Sequence, residues 1–212
     1  YDPSFSYEVA VIIQDGLRRM IKEQQDVFFY ITLINENYSH PGIPKGAEDG
    51  ILKGMYPFSE GKGKKDAPKV QLLGSGAILR EVIAAQELLE KDFGISADVW
   101  SATSFNELRR EGLDVQRWNL LNPEQSPRES YVSRCLNHAP GPVVAATDYM
   151  KIFADQIRPF IYKPYVVLGT DGFGRSDYRR QLRKFFEVDR YYVTVAALKA
   201  LADEGSVPAS TV

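Results

Sequence analysis

The feature that most constrains the fold is an alternation of short apolar runs with helical segments along residues 70–203. The apolar runs predict strands at Val70–Leu73, Asp98–Ala102, Val143–Ala146 and Tyr165–Leu168. Runs that are apolar throughout are typical of strands covered on both faces, and parallel neighbours need long crossovers. The sequence therefore predicts an α/β fold, with a mostly parallel sheet and helices on both faces.

The segments between and after these strands carry the spacing of helices. The predicted helices are Ala47–Lys53, Ala77–Phe93, Phe105–Glu111, Arg128–Asn137, Met150–Phe160, Tyr178–Phe186 and Val193–Asp203.

The first part of the chain has a different organisation. Apolar residues at helical spacing predict a helix over Phe5–Lys22, with Asp2-Pro3-Ser4 as a cap-like entry. The run Val27–Ile34 predicts a buried parallel strand. Proline and glycine in NENYSHPGIPKG then mark a boundary near residue 41, and Ser59–Pro68 reads as an exposed, mobile connection.

Composition narrows the class of partners and the compartment. Twenty-six basic against 28 acidic residues give a net charge of −2, which excludes a broad field for nucleic acid. No apolar run approaches the length that crosses a bilayer, so we expect no membrane and a cytoplasmic location. The single cysteine, Cys135, suits a reducing compartment and reads as a buried inert thiol. Because Tyr1 is not a natural start, we expect that a longer polypeptide continues upstream of it.

The turn Gly74-Ser75-Gly76 stands between a predicted strand and a predicted helix, where free backbone N–H groups can bind an anion. Leu79 replaces the third glycine of a dinucleotide motif, and Asp98 is a weak counterpart of its ribose-binding acid. A stand-alone nucleotide- or anion-binding module is therefore an alternative. The simpler interpretation is a tight turn that lets the helix pack close to the strand.

The stretch LGTDGFGRSD, residues 168–177, carries a second glycine turn, Gly172–Gly174. It lacks the lysine of a phosphate-binding loop, and an aromatic residue occupies the middle of the turn. Ser176 and Asp177 predict caps for the helix that follows. A shaped turn with a helix entry is favoured, while Arg175 keeps the alternative of binding a carboxylate or phosphate of a neighbouring chain.

The two histidines lie about a hundred positions apart, so a zinc site is not indicated. His138 reads as a residue at a helix end. His40, beside Glu36 and Tyr38, follows the predicted strand and is a candidate for a site or a domain seam, the alternative being a solvated loop residue. Arg109-Arg110-Glu111 and Arg179-Arg180 read as solvated helix ends.

Six segments together resemble the C-terminal part of homodimeric bacterial pyruvate dehydrogenase E1 components, in order and over nearly the whole chain. They are YITLINENYSHPGIPKGAEDGILKG, VQLLGSGAILREV, SATSFNELRREG, RWNLLNPEQSPRESYV, ATDYMKIFADQIRPF and VLGTDGFGRSD.

The resemblance implies a transketolase-like, thiamin diphosphate-dependent protein. Residues 1–41 would be the last helix and strand of the middle, pyrimidine-binding domain, and residues 42–212 a transketolase C-terminal-like domain that includes a connecting segment 42–68. Members of this family decarboxylate pyruvate and pass the acetyl unit to the lipoyl group of E2.

The resemblance also implies where the chemistry lies. Thiamin diphosphate and Mg²⁺ are held by upstream residues, so no catalytic, cofactor-binding or metal-binding residue maps onto this chain. We expect the segment to be inactive alone and to serve assembly, with its own upstream domains, the second E1 subunit and E2 as partners. A docking surface for another subunit, near the C-terminal helices, is a further alternative.

Overall fold

A five-stranded sheet in the order β1-β3-β2-β4-β5 organises the chain. The structure is a computed structural model, which describes residues 1–64 and 66–212. The strands are β1 (Tyr56–Ser59), β2 (Lys69–Gly74), β3 (Ser96–Ser101), β4 (Val143–Ala146) and β5 (Tyr165–Leu168). β1 pairs antiparallel with β3, and the other neighbours are parallel. The predicted fold class, a mostly parallel α/β sheet, is confirmed.

Eight α-helices are described. They are α1 (Ser6–Leu17), α2 (Glu48–Lys53), α3 (Leu79–Asp92), α4 (Phe105–Leu121), α5 (Tyr131–Leu136), α6 (Lys151–Asp155), α7 (Arg179–Phe185) and α8 (Arg190–Asp203). A π-helical turn, Arg18–Lys22, continues α1, and short 3₁₀ turns occupy Gly76–Ile78, Arg158–Phe160 and Ala209–Thr211. Each predicted helix has a counterpart, with ends that differ most at α4 and α6.

The side chains of each strand alternate between the two faces of the sheet, and each face is covered by its own hydrophobic core. Val70 and Leu72 of β2 belong to the core with α3 and α8, whereas Leu73 belongs to a second core with α4 and α5. All three side chains are fully buried. Burying each contributes about 1.5–3 kcal/mol, which explains why short strands suffice to hold this layer.

Helix α4 continues ten residues beyond its predicted end at Glu111, to Leu121. The prediction stopped before Gly112, but this glycine serves helix packing. A Cβ there would lie 2.5 Å from Cζ of Phe160, so only glycine lets the ring pack against the helix. The edge strand β1 was missed, because its Tyr-Pro-Phe-Ser sequence carries a proline that argues against a strand.

The predicted buried strand Val27–Ile34 is wrong for this chain. Within residues 1–64 and 66–212 it joins no sheet, and Phe28 and Tyr30 are 85% and 75% exposed. Tyr1 supplies backbone partners, since its ammonium donates to Tyr30 and Thr32 donates to its carbonyl. A strand needs neighbours on its edges, and the apolar composition alone does not supply them.

The predicted connection Ser59–Pro68 is mostly exposed, and the backbone N–H groups of Gly61 and Lys62 donate to Asp98 and Glu90. Residue 65 of this connection lies outside the described residues. In the part of the chain that the structure describes, no helix combines the length and the apolar character needed to cross a membrane.

Two glycines with positive φ allow the steric cost of a substitution to be compared with its conformational cost. Gly141 has φ +79°, and a Cβ there would lie 1.7 Å from the Lys69 carbonyl oxygen. Gly94 has φ +66° with nothing within 4 Å. We expect Gly94→Ala to lower the free energy of unfolding by about 1–2 kcal/mol and Gly141→Ala by clearly more, measured by urea denaturation. Equal losses would contradict the close approach of residue 141 to β2.

Candidate functional site

The carboxyl ends of β2 and β4 form the switch point of the sheet. The chain places β3 on one side of β2 and then returns to place β4 on the other, and open α/β sheets bind ligands in the crevice that this reversal creates. Here the two strand ends are tied together, since the Ser75 hydroxyl donates to the Thr147 hydroxyl over 3.1 Å. This crevice is where a ligand would be sought first.

The N-terminal segment of the chain itself occupies this crevice. The Gly76 N–H donates to the Asp2 carbonyl over 3.1 Å, and the Thr32 hydroxyl donates to the Asp2 carboxylate over 2.6 Å. Asp2 is 3% exposed, and burial raises its pKa. A Cβ on Gly76 would meet both carboxylate oxygens at 2.7 Å. The Gly-Ser-Gly turn is therefore closed by a carboxylate from its own chain.

The residues of the dinucleotide alternative have other roles. A Cβ on Gly74 would lie 2.6 Å from Cα of Leu79, so this glycine lets α3 approach β2, as the tight-turn interpretation states. The Asp98 carboxylate accepts from the Gly61 N–H and from the Gln71 side chain at 2.9 and 2.8 Å. It ties the connection to the sheet, and the register pairs Asp98 with Gln71, three residues before the turn begins.

A buried glutamate joins α1 to the sheet. The Glu8 carboxylate accepts hydrogen bonds from the backbone N–H groups of Ser4 and Phe5, and from the hydroxyls of Tyr56 and Ser101 at 2.6 Å each. Glu8 is fully buried. Helix α1 is therefore capped by its own third residue, and the predicted cap-like entry Asp2-Pro3-Ser4 is wrong.

Burial is the main reason that the pKa of Glu8 is raised, although the four donors oppose this shift. Burial and the nearby Glu8 also raise the pKa of Tyr56, so its hydroxyl stays protonated and remains a donor. The Tyr7 hydroxyl lies 2.5 Å from that of Tyr56 and extends the network. These contacts bridge α1, β1 and β3.

A second charged cluster joins the NENYSHPGIP loop to α3 and α7. The Glu36 carboxylate accepts from Arg80 and Arg183, each at 2.8 Å. Glu81 accepts from Arg190 at 2.9 Å and from Arg183 at 3.4 Å. Arg183 therefore bridges two carboxylates, and its side chain is 12% exposed.

The pKa values of these two glutamates are lowered. Burial acts to raise the pKa of Glu36, but hydrogen bonds from Arg183 and Arg80 outweigh it. Burial likewise acts against the lowering at Glu81, where Arg190 outweighs it. Both groups are therefore carboxylates at neutral pH. They pair with Arg183, which is 12% exposed, and with the more exposed Arg80 and Arg190, at 35% and 43%.

His40 lies where the loop meets α1. Its Nδ1 accepts the Ser6 N–H at 3.0 Å, and its ring stacks on Tyr38 with centroids 4.7 Å apart. Tyr38 is covered on its ring by the Arg80 guanidinium at 4.4 Å and donates to the Ser4 carbonyl. The structure thus gives His40 packing and capping contacts. His138 follows α5, exposed, with Nε2 3.3 Å from Glu129.

The LGTDGFGRSD turn packs against the segment that leads into α6. The Thr170 N–H donates to the Tyr149 carbonyl at 2.7 Å, and the Asp171 carboxylate accepts the Lys151 N–H at 3.0 Å. Gly172 has φ +85°, which glycine adopts without strain. Phe173, at the tip, is 89% exposed. The turn is shaped by these contacts.

The predicted caps at Ser176 and Asp177 are wrong. Helix α7 begins at Arg179 with Tyr178 as its N-cap and no side-chain cap bond. Among the described residues, the Asp177 carboxylate accepts only the adjacent Tyr178 N–H. The Arg175 guanidinium lies over the Phe185 ring, 5.4 Å from its centroid.

A crevice of about 260 Å³ lies between this turn, α7 and residue 34. Three of its lining residues are Arg175, Arg179 and Arg183. Arg183 pairs with Glu36, and Arg179 donates to the Asn35 carbonyl with its Nε 3.8 Å from Glu36. The loop carboxylate therefore neutralises much of the charge that an anion would need.

Cys135 is partly buried, and burial raises the pKa of its thiol, which agrees with an inert role. Among the described residues, no three His, Cys, Asp or Glu side chains lie together as a metal site would require. Mg²⁺ bound to a diphosphate takes several oxygen ligands, and the described residues offer no such cluster of side chains. We therefore assign no catalytic step to these residues.

Comparison with known proteins gives a family. Residues 54–189 match the transketolase-like TK C-terminal domain, and residues 1–41 match the pyruvate dehydrogenase E1 component middle domain. The chain belongs to the transketolase-like C-terminal domain family. The resemblance to bacterial pyruvate dehydrogenase E1 components, stated from six segments, is confirmed.

Relatives named pyruvate dehydrogenase E1 component cover almost all of the chain. The proteins of Cupriavidus necator and Pseudomonas aeruginosa are each 63% identical over 98% of it, and that of Escherichia coli K12 is 55% identical over 98%. The chain spans about a quarter of the length of these relatives, 23%, 24% and 23% respectively.

Solved transketolases share the fold of this family member. A transketolase mutant from Pichia stipitis covers 97% of the chain with a TM-score of 0.64 and 19% identity, and the chain covers 25% of it. A second mutant of that enzyme, in complex with fructose 6-phosphate, gives a TM-score of 0.63 and 20% identity, with 97% and 25% coverage. At this identity the likeness concerns the fold alone.

The Glu8 network and the Glu36–Arg183 cluster together form the seam. Sequence reasoning missed Asp2, which closes the switch point, and four residues of the seam: Glu8, Arg80, Glu81 and Arg183. One local signal was available, because an acid at the third position of a helix is the second half of a capping box. The other four come from three distant parts of the chain, near residues 2, 80 and 183, and only tertiary contacts give them their partners.

Removing the Glu8 carboxylate should destabilise the chain strongly. Glu8→Ala leaves the N–H groups of Ser4 and Phe5 and the Ser101 hydroxyl without this acceptor, at about 1–3 kcal/mol for each buried donor. We expect a loss of about 3 kcal/mol or more in urea denaturation. The control is Glu87→Ala on the exposed face of α3, which should change little. Equal effects of the two variants would argue against the Glu8 network.

The ion pairs of Glu36 should make stability depend on pH. Because its pKa is lowered on folding, its contribution is complete above the usual value of 4.5 and is lost as the pH falls through the lower folded value. Glu36→Gln should cost about 1–3 kcal/mol near pH 7, and this difference from the wild type should shrink below pH 4.5. Thermal unfolding across pH measures it, with the exposed Glu124→Gln as control. A difference independent of pH would contradict the assignment.

Proposed function

We propose that this chain is the assembly segment of a pyruvate dehydrogenase E1 component, the thiamin diphosphate-dependent enzyme that decarboxylates pyruvate and passes the acetyl unit to the lipoyl group of E2. The observation that carries the proposal is the match of 63% identity over 98% of the chain to proteins of that name. Because the chain spans about a quarter of those proteins, the activity belongs to the longer polypeptide.

The proposed division of the chain follows the same boundary as the sequence predicted. Residues 1–41 are the closing helix and strand segment of the middle domain, and residues 42–212 are the C-terminal domain with its connecting segment 42–68. The match of residues 1–41 to one family and of 54–189 to another supports this division. Thiamin diphosphate and Mg²⁺ are bound upstream in this proposal, where they supply the carbanion chemistry of decarboxylation.

In the proposal, the chain's own residues fix the C-terminal domain to the middle domain. Glu8 holds α1 to β1 and β3, and Glu36 holds the following loop to α3 and α7 through Arg80 and Arg183. The Arg183–Glu36 pair is partly buried, with side chains 12% and 18% exposed, so removal of one partner leaves the other charge partly shielded from water. Such a seam suits a domain that sets the position of its neighbour.

Exposed apolar residues support further assembly partners. Phe28, Tyr30 and Leu33 are 85%, 75% and 70% exposed, and Phe173 and Tyr178 are 89% and 85% exposed. Exposed aromatic residues in such numbers mark contact surfaces. We assign the first three to the sheet of the middle domain and the last two to a neighbouring domain or the second subunit of a homodimer. We also propose a cytoplasmic location for the parent enzyme, because a reducing compartment suits a chain with one free cysteine.

Hydrogen exchange tests this proposal. The amides of residues 27–34 should exchange rapidly in this chain and become strongly protected in the longer polypeptide, where they pair with neighbouring strands. The amides of β4 (Val143–Ala146) serve as control, since they should be protected in both. The longer polypeptide should also decarboxylate pyruvate with thiamin diphosphate and Mg²⁺. Rapid exchange at 27–34 in both forms, or turnover by this chain alone, would contradict the proposal.

A further inference from the structure

A groove of about 450 Å³ runs between α7 and α8, outside the switch point. It is lined by Arg180, Gln181, Lys184, Asp189, Tyr191, Tyr192 and Val195. Its residues Arg180, Asp189 and Tyr191 also border the crevice that holds Glu81, Arg183 and Arg190. One wall carries cations and the other carries apolar surface. No role in the seam or the sheet core accounts for this combination.

Helix α7 divides its basic residues between two directions. Arg183 is turned into the internal carboxylates Glu36 and Glu81. Arg180 and Lys184 line the groove, and among the described residues neither side chain forms a hydrogen bond or an ion pair. They are four residues apart, so they lie on one face about 6 Å apart along the axis.

The single acid in the groove does not neutralise these cations. The Asp189 carboxylate accepts from the N–H groups of Tyr191 and Tyr192, at 3.0 and 3.1 Å, and caps the start of α8. Its charge is thus directed at the helix terminus. The wall formed by Arg180 and Lys184 remains positive.

The opposite wall is an apolar stripe of α8. Tyr191 and Val195 are 59% and 45% exposed, and they are also four residues apart, so they lie one above the other on the helix. A tyrosine offers a large apolar face at a small cost in side-chain entropy, which makes it a frequent anchor in interfaces. On each wall of the groove, the two exposed residues are therefore one helical turn apart.

The openness of both walls favours a macromolecular segment over a small molecule. Small-molecule pockets bury most of the surface of their ligand, whereas Arg180, Lys184 and Tyr191 are exposed along the groove. A helix bound in a groove makes contacts that are one helical turn apart, and the residues on each wall have this spacing.

We propose that the α7–α8 groove binds an acidic amphipathic helix of another polypeptide. Carboxylates one helical turn apart would pair with Arg180 and Lys184, and an apolar side chain between them and α8 would pack on Tyr191 and Val195. This goes beyond the proposed function, because it assigns the groove a partner outside the E1 chain's own domains and does not depend on thiamin chemistry.

Fluorescence anisotropy tests the proposal with a labelled synthetic helix of about four turns. The probe carries glutamates at i and i+4 on one side and leucines on the adjacent side, and a matched probe carries glutamines in place of the glutamates. We expect saturable binding of the glutamate probe that weakens with added salt, and binding of the glutamine probe at least about tenfold weaker. Equal binding of the two probes, or no saturable binding, would overturn the proposal.

Variants locate the binding. Arg180→Glu with Lys184→Glu should weaken the glutamate probe at least about tenfold, and Tyr191→Ala should weaken it at any salt concentration. The matched control is Arg109→Glu with Arg117→Glu, two exposed arginines on α4, which should leave binding unchanged. Circular dichroism confirms that each variant folds. Loss of binding in the α4 control alone, or displacement of the probe by adenosine monophosphate at comparable affinity, would assign the interaction elsewhere or to small anions.

Discussion

The arrangement of the whole chain depends on one buried carboxylate. Glu8 accepts four hydrogen bonds, two from the backbone that begins α1 and two from hydroxyls on β1 and β3. A charge with no access to water is tolerated only where donors replace its hydration, so the helix and both strands must stand in one relation to each other. The first helix is thereby fixed to an edge of a sheet whose other strands come from much later in the sequence.

This fixation carries Asp2 into the switch-point crevice. Most open α/β sheets keep that position for a ligand, whereas here Gly76 donates to the backbone of Asp2 and the carboxylate lies against the turn. The glycines that sequence motifs associate with phosphate serve close packing instead. The family match over residues 54–189 gives the fold, whereas these contacts show what fills the crevice in this chain.

Helix α7 connects the inner and outer roles of the domain. Its Arg183 forms ion pairs with Glu36 and Glu81. Arg180 and Lys184 line the open groove beside α8. Because a helix presents residues three and four positions apart on the same face, one basic segment can serve both. Exposed aromatic residues at 27–34 and on the Gly172–Gly174 turn extend the surface available to partners.

The sequence by itself determined the α/β class, four parallel strands and the position of most helices, because periodic apolar patterns report which faces are buried. It also determined the family, through six segments in order. It could not place residues 27–34, since a strand forms only beside neighbouring strands. It also could not predict α4 beyond Gly112, because that glycine is required by the packing of the Phe160 ring. Tertiary structure alone decided the partners of Glu36 and Asp2 and the strand partners of Glu8, Tyr56 and Ser101. Hydrogen bonds and ion pairs between residues far apart in the chain leave no periodic pattern in the sequence.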